Sequence, residues 1–267
     1  MKLIKLLLIS LLFINIGTVS AADDFIEKAV AAEHRSAENK ARDIYRHPAE
    51  TLSFFGLQPE LKVLEILPGR GWYTEILSTA LSEKGQLTVA SFGENHPNDY
   101  LRGVHNDFIK MLDASPEIYG KIKRVVFEDK GYLKEVADGS QDMVVTFRNT
   151  HNWIRYGGIE DAYRSFHRVL KKGGVLGVVQ HRANRDDDAK ASSQKGYVPE
   201  SYLIRLAEDM GFELVAKSEV NANPEDTKDH PEGVWTLPPS YRLKDVDKEK
   251  YSAIGESDRM TLRFVKL

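Results

Sequence analysis

The chain has 267 residues, of which 42% are hydrophobic and 29% charged, a composition that suits one large globular domain with a sizeable core. It contains no cysteine, which excludes disulfides, thiolate zinc sites, cysteine nucleophiles and a lipid anchor on cysteine. The formal net charge is −3 and the sequence has no basic run, so a nucleic-acid partner is not expected.

The first 22 residues have the pattern of a bacterial export signal. Lys2 and Lys5 precede an apolar run over residues 6–16, and small residues follow at 19–22. The run is shorter than the roughly 20 apolar residues that a membrane helix needs. We therefore expect a periplasmic or envelope-associated protein without stable membrane insertion after cleavage; an uncleaved anchor is the alternative.

Residues 23–56 predict a helical cover over the core. A charged helix over 23–46 precedes Pro48, which suits the first turn of a second helix that Gly56 ends. Arg42, Arg46 and His47 could reach an anionic ligand from this cover. Solvated or structurally paired charges are the alternative.

The stretch 61–75 predicts a strand, a tight turn and a helix. An apolar run typical of a strand buried on both faces is interrupted by Pro68, Gly69 and Gly71. Glycines at such a turn let the backbone approach a ligand closely, and the carboxylate of Glu65 can accept hydrogen bonds there. An ordinary strand-to-helix turn is the alternative.

Strands alternate with helices along the remaining chain. After the first strand, the patterns predict strands over 86–92, 123–127, 142–147, 175–179 and 213–220, and a last antiparallel strand over 260–266. We expect an α/β domain over 57–267 with a doubly wound, mostly parallel seven-stranded sheet and a long loop at 221–258. Ligands should bind at the carboxyl ends of its strands, under a loop formed by residues 181–196.

Several ordered motifs resemble those of class I S-adenosylmethionine-dependent methyltransferases, namely Val63 to Gly71, Phe127 to Asp129, Asp142 to Val145 and Arg168 to Leu176. The resemblance covers Leu57 to Val220 and the final strand. Residues 46–55, 68–75, 149–153 and 229–239 are also similar to a bacterial group of exported, predicted methyltransferases. The resemblance implies a Rossmann-like fold, S-adenosylmethionine as cofactor and an unidentified small-molecule acceptor.

The resemblance also implies a set of cofactor-binding residues: Glu65, Leu67, Pro68, Gly69, Gly71, Tyr73, Ser91, Glu94, Glu128, Asp129 and Arg148. Leu67 to Gly71 would hold the methionine part, and Glu128 or Asp129 would meet the adenine amino group. Two positions depart from the family. Leu67 replaces the usual first glycine, and Ser91 replaces the carboxylate that binds the ribose hydroxyls, with Glu94 close enough to substitute.

The segment after the fourth strand would line the face where methyl transfer occurs. His151 is the first candidate for a general base, with Asn149 beside it and His181 as the second candidate. A histidine that only binds structural carbonyls is the alternative.

Two further groups of side chains have a functional and a structural interpretation. Trp72, Tyr73, Trp153 and Trp235 could form an aromatic wall or simply pack. Asp226, Asp229, His230 and Glu232 could bind a hard cation, but turn chemistry explains them, so no metal is predicted.

Two rival functions remain open. A non-catalytic envelope binding protein that retains the fold is favoured by Leu67, by Ser91 and by export, because the cofactor is not expected in abundance outside the cytoplasm. A nicotinamide-dependent oxidoreductase ranks last, because the first turn lacks Gly-x-Gly-x-x-Gly. The oligomeric state cannot be predicted.

Overall fold

The computed structural model describes residues 21–128 and 131–267. The predicted export signal lies outside this part of the chain, apart from Ala21 and Ala22, which begin the first helix. Asp129 of the predicted site also lies outside it. Among the described residues, none of the helices combines the length and apolar character needed to cross a membrane.

A single seven-stranded sheet forms the centre of the molecule, with the strand order β3-β2-β1-β4-β5-β7-β6. The first five strands pair in parallel, and β7 runs antiparallel to both β5 and β6. This confirms the predicted doubly wound sheet with an antiparallel last strand. The strands are β1 Lys62–Ile66, β2 Gln86–Ser91, β3 Lys123–Val126, β4 Gln141–Phe147, β5 Leu170–His181, β6 Phe212–Ser218 and β7 Arg259–Lys266.

Helices cover both faces of this sheet, which is why the central strands are continuous apolar runs. The helices are α1 Ala21–Ala31, α2 Ala37–Lys40, α3 Asp43–Arg46, α4 Pro48–Phe55, α5 Trp72–Ala80, α6 Asp99–Ala114, α7 Pro116–Tyr119, α8 Thr150–Tyr156, α9 Ile159–Val169, α10 Ala189–Ser193, α11 Glu200–Asp209 and α12 Lys248–Ile254. Residues of α1, α4, α5 and α6 share one apolar cluster, and residues of α8, α9 and α11 share the other.

The predicted single helix over 23–46 is wrong, because the chain breaks into α1, α2 and α3. The guanidinium of Arg35 donates to the carbonyl of Val30 at 2.6 Å and to Asp43 at 2.8 Å, so it holds the end of α1 against α3. Ser36 then caps α2 by accepting a hydrogen bond from the backbone of Asn39. Charge periodicity alone does not reveal this pairing between residues eight positions apart.

Three other segments differ from their predicted form. Residues after β4, expected as a loop, form α8. The fifth strand, predicted over 175–179, begins earlier, at Leu170, because the preceding helix ends at Val169. The loop over 221–258 contains a 3-10 turn at Gly233–Thr236 and the helix α12.

The predicted N-terminal cover docks on the sheet through Phe55. Leu52 and Phe55 of α4 are fully buried, and a Cβ added at Gly177 of β5 would lie 2.6 Å from the Phe55 ring. Gly56 ends α4 in the left-handed conformation, with a φ of 79°. The absence of a side chain at position 177 therefore lets the cover approach β5.

We expect Gly177→Ala to lower the free energy of unfolding by about 1–3 kcal/mol, because the new methyl group overpacks a rigid, fully buried ring. Urea denaturation of purified protein measures this change. Gly103→Ala in α6 is the matched control: its Cβ meets nothing within 4 Å, and the substitution should stabilise the helix by about 0.5–1 kcal/mol. Equal effects of the two substitutions would contradict the packing described for Phe55.

Candidate functional site

A cavity of about 220 Å³ lies at the carboxyl ends of β1, β4 and β5. This is the edge of the sheet where strand order reverses and where ligands bind in doubly wound folds. The lining residues are Glu65, Leu67, Pro68, Gly69, Trp72, Tyr73, Phe147, Arg148, Asn149, His151, Asn152, His181 and Trp235. The structure therefore brings together Glu65, most of the predicted turn and all three candidate catalytic residues.

Four other predicted residues do not line the cavity. A Cβ at Gly71 would lie 2.2 Å from Cε of Met111, so this glycine allows α6 to pack against the turn. Ser91 is buried, with its hydroxyl 3.1 Å from Nδ1 of His105. Glu94 is exposed, and Glu128 pairs with Lys134.

The turn after β1 leaves open space beside Gly69, whereas the side chain of Leu67 occupies the space beside its own position. Gly69 has a φ of 64°, and a Cβ at this position would meet nothing within 4 Å. Leu67 also adopts a left-handed conformation, with a φ of 47°, and its buried side chain joins the apolar core while lining the cavity. This conformation costs a residue with a side chain about 1–2 kcal/mol, so the surrounding contacts must impose it.

The side chain of Asn149 supplies those contacts. Its amide nitrogen donates to the carbonyls of Ile66 at 3.0 Å and Leu67 at 3.3 Å, and to the Thr146 hydroxyl at 3.2 Å. The backbone N–H of Leu67 in turn donates to the carbonyl of Ala90 at 2.8 Å. Asn149 thus fixes the ends of β1 and β4 relative to each other.

Glu65 lies at the base of the cavity. It is 1% exposed and accepts a hydrogen bond of 2.7 Å from the Thr74 hydroxyl. Burial raises the pKa of Glu65 to about 7, against the smaller opposing effect of that hydrogen bond. A ligand with a positive group beside Glu65 would favour its ionised form.

Two buried histidines form the opposite wall. Their ring centroids are 5.7 Å apart, and burial lowers the pKa of both, that of His151 to about 4. Nδ1 of His181 lies 2.5 Å from the Ser257 hydroxyl. Both imidazoles are therefore neutral at physiological pH.

The tautomer of His151 follows from its partner. The side-chain nitrogen of Gln180 lies 3.2 Å from Nδ1 of His151 and 3.1 Å from the carbonyl of Gly196, so the amide nitrogen faces acceptors. Nδ1 of His151 accepts, and its proton sits on Nε2. The hydroxyl of Ser257 can donate or accept, which leaves both tautomers open to His181.

Aromatic rings complete the walls. Tyr73 stacks on Phe147 with ring centroids 3.5 Å apart, and Trp235 from the 221–258 segment lies 5.8 Å from His151. Trp153 instead packs in the core against Phe127 and does not line this cavity. Three members of the possible aromatic wall, Trp72, Tyr73 and Trp235, therefore do line the cavity. The sequence did not indicate Phe147 or Asn152; the position of Phe147 at a predicted strand end was the available signal.

The loop predicted over the cavity lies beside a different groove. Residues 185–190 line a separate groove of about 460 Å³ beside α8 and α11, so the expectation that 181–196 covers the site is wrong. Trp235 from the 221–258 segment lines the cavity instead, and the guanidinium of Arg242 lies 4.6 Å from its ring centroid.

The acidic cluster near residue 226 organises the fold. The buried carboxylate of Asp226 accepts hydrogen bonds from Tyr197 at 3.0 Å, His230 at 2.9 Å and the backbone of Asp258 at 2.8 Å. In residues 21–128 and 131–267, no group of three His, Asp or Glu side chains is arranged to hold a metal ion.

Comparisons with solved structures agree with this geometry. The chain is similar to an S-adenosylmethionine-dependent methyltransferase from Aquifex aeolicus, at 15% identity and a TM-score of 0.58 over 92% of this chain and 98% of that one. It is similar to an arsenic(III) S-adenosylmethionine methyltransferase from Chlamydomonas reinhardtii, at 16% identity and a TM-score of 0.55 over 91% of this chain and 73% of that one. It is also similar to the (4+2)-cyclase SpnF, at 18% identity and a TM-score of 0.55 over 90% of this chain and 91% of that one.

No protein-family profile and no curated protein matches the sequence. The chain nevertheless has the Rossmann-like fold of class I S-adenosylmethionine-dependent methyltransferases, as the resemblance of its motifs predicts. A cyclase among the similar structures means that this fold carries more than one chemistry. Function must therefore be argued from the cavity.

We expect acid to destabilise the protein partly through His151. The pKa of His151 is about 4 in the folded protein, against the ordinary value of 6.5 that applies to the unfolded chain. Between these two pH values the unfolded state binds more protons, so the free energy of unfolding falls as the pH falls. The loss should reach about 3 kcal/mol near pH 4. His151→Gln should lose correspondingly less stability than the wild type.

Urea denaturation between pH 8 and pH 4 measures this difference. Both proteins retain His181, whose lowered pKa also makes the protein less stable as the pH falls. Both also retain Glu65, whose raised pKa makes the protein more stable as the pH falls from 7 to 4.5. Comparison of the two proteins cancels these shared contributions, and pH 8 supplies the baseline. Parallel curves would show that His151 is not held neutral.

Proposed function

We propose that this protein is an S-adenosylmethionine-dependent methyltransferase that acts on a small molecule. The observation that carries the proposal is the cavity at the ends of β1 and β4, with Glu65 at its base and open space at Gly69. Methyltransferases among the similar structures depend on this cofactor. When bound, the cofactor supplies a methyl group activated on a sulfonium.

The chain offers suitable partners for the amino-acid end of such a cofactor. The carboxylate of Glu65 faces the cavity with one hydrogen-bond donor, Thr74, so it can accept bonds from an ammonium group. Gly69 lets the backbone approach the ligand closely. In the family this role belongs to the first glycine, whose position Leu67 occupies here. The remaining residues of the turn, Leu67 and Pro68, line the same wall.

The cavity is smaller than the roughly 300–1,000 Å³ usual for small-molecule sites. We therefore assign it to the amino-acid part of the cofactor and to the acceptor. The nucleoside part would extend over Gly69 toward the end of β2, where Ser91 and Glu94 lie. Glu128, just after β3, is proposed to meet the adenine amino group.

The two histidines are assigned different roles. His151 carries its proton on Nε2 and donates a hydrogen bond that orients the acceptor. His181 accepts a hydrogen bond from the hydroxyl or amine of the acceptor, because Ser257 permits the tautomer whose Nε2 has a free lone pair. The sequence favours His151 as the base; the contact with Gln180 favours His181.

A non-catalytic binding protein is the second candidate. The buried side chain of Leu67 and the pairing of Ser91 with His105 both favour it, because they occupy positions that contact the cofactor in the family. Calorimetric titration of the protein with S-adenosylmethionine decides between the two functions.

Isothermal titration of S-adenosylmethionine into the mature protein should give saturable binding with proton release. Because the pKa of Glu65 is about 7, an ammonium beside it should expel about half a proton at pH 7. Titrations in two buffers of different ionisation enthalpy measure this number. Glu65→Gln should abolish the release.

Gly69→Asp should abolish binding, because it places a charge in the open space above the turn. Gly139→Asp is the matched control: Gly139 also has a positive φ, 57°, and open space around it, but lies outside the cavity. Folding of each variant is checked by circular dichroism. A folded wild type that binds no S-adenosylmethionine would end the enzyme hypothesis and leave the binding protein.

We also propose that the protein is exported and acts in the periplasm or envelope. The support is the sequence pattern of Lys2 and Lys5 before the apolar residues 6–16. Protein expressed in a bacterial host should have the intact mass of a chain cleaved near Ala22, and Leu12→Arg should leave it uncleaved in the cytoplasm. An uncleaved wild type among cytoplasmic proteins would refute export.

A further inference from the structure

Four arginines from separate parts of the chain surround one buried carboxylate behind the cavity; we call them the arginine cluster. Arg42 pairs with Glu256 at 2.7 Å and Arg46 at 3.2 Å, and Arg259 also pairs with it. Arg148 is close enough to act on the same carboxylate. Although burial favours the neutral acid, the four guanidinium groups hold the pKa of Glu256 well below its usual range.

The arginine cluster has more positive charge than this carboxylate can balance. Within the described part of the chain, no other carboxylate pairs with its four members. Arg46 is 2% exposed, yet both of its terminal nitrogens lack a hydrogen-bond partner there, as does Nη2 of Arg42. Burial, followed by the charge of Arg148, lowers the pKa of Arg46 well below its usual value.

A buried guanidinium group whose N–H donors have no acceptor is costly, typically by several kcal/mol, unless a ligand or another group accepts its hydrogen bonds. The unused donors of Arg46 therefore indicate a missing acceptor. Guanidinium groups match the paired oxygens of a carboxylate or phosphate. The group that best fits the arginine cluster is an oxyanion.

The arginine cluster reaches the cavity through Arg148. This side chain lines the cavity, and among residues 21–128 and 131–267 its guanidinium has no hydrogen-bond or ion-pair partner. Arg46 lies behind it, with its guanidinium 4.6 Å from the ring centroid of the cavity residue Trp72. Arg259 pairs with His181 in the register of β5 and β7.

Two members of the arginine cluster, Arg148 and Arg259, lie on the side of the two histidines. Arg148 follows β4, as His151 does, and Arg259 lies opposite His181, whereas Glu65 and Gly69 belong to the end of β1. S-adenosylmethionine has an ammonium, a sulfonium and a carboxylate, hence a net positive charge. A cofactor of that charge adds to the three excess positive charges, whereas an anionic co-substrate reduces them.

We propose that the methyl acceptor is a small anion whose carboxylate or phosphate group binds Arg148, with Arg46 and Arg259 supplying the positive field behind it. This inference rests on the proposed function and specifies its substrate class. The anionic group anchors the acceptor and is not the atom that receives the methyl group. Its position beside His151 and His181 places the rest of the acceptor between the histidines and the cofactor.

The test uses the full mature protein saturated with S-adenosylhomocysteine and inorganic phosphate as the probe, with binding followed by calorimetry. Phosphate should bind the wild type, and Arg148→Asn should weaken its binding by about tenfold or more, since a charge-assisted hydrogen bond is lost. Asparagine tolerates the left-handed backbone of position 148, where φ is 65°. Arg148→Lys should retain part of the affinity through its charge.

Arg164→Gln is the matched control, because Arg164 of α9 is an exposed arginine paired with Asp161 outside the cavity. It should leave phosphate affinity unchanged. Equal affinity of wild type and Arg148→Asn, or no phosphate binding by the wild type, would overturn the proposal. Circular dichroism and the Tm of each unliganded variant establish that it is folded.

A second arm separates the acceptor from the cofactor. If S-adenosylhomocysteine displaces phosphate while 5′-methylthioadenosine, which lacks the carboxylate, does not, the arginine cluster binds the cofactor's own carboxylate and the acceptor assignment is wrong. If phosphate binds through Arg148 but S-adenosylhomocysteine does not bind at all, the proposed function fails, and the acceptor assignment with it. Simultaneous binding of phosphate and S-adenosylhomocysteine supports the anionic acceptor.

Discussion

The side-chain amide of Asn149 joins the carboxyl ends of β1 and β4, and the rest of the site depends on this connection. These strands are neighbours where the strand order reverses, so their following segments diverge over opposite faces of the sheet. By binding the carbonyls of Ile66 and Leu67, Asn149 holds the turn in its left-handed form. Glu65 and Arg148 are thereby kept on two sides of one cavity.

The electrostatics of that cavity are set by burial on one side and by excess positive charge on the other. Burial leaves Glu65 about half protonated near pH 7 and keeps both histidines uncharged at physiological pH. The nearby guanidinium groups further disfavour a charged His181. The site therefore combines a carboxylate suited to an ammonium group, neutral hydrogen-bonding imidazoles and a positive field suited to an oxyanion.

The segment before the last strand contributes more to the site than its irregular sequence suggests. Trp235 lines the cavity, Ser257 contacts His181, and Glu256 lies at the centre of the arginine cluster. Asp226 holds the segment in place through hydrogen bonds from Tyr197 and from the backbone next to Ser257. The apparent loop thus carries the second half of the candidate site.

The sequence by itself determined the order and type of the strands, the first turn and its carboxylate, because apolar periodicity, glycine and proline act over a few residues. It also predicted His151, His181 and Asn149 as site residues, and the structure places all three on the wall of the cavity. Only the tertiary structure decided which atoms of these residues are free, that Ser91 and Glu94 lie outside the cavity, and that Arg46 meets Glu256. The reason is physical: burial and charge pairing depend on contacts between residues up to about 210 positions apart, which local pattern does not encode.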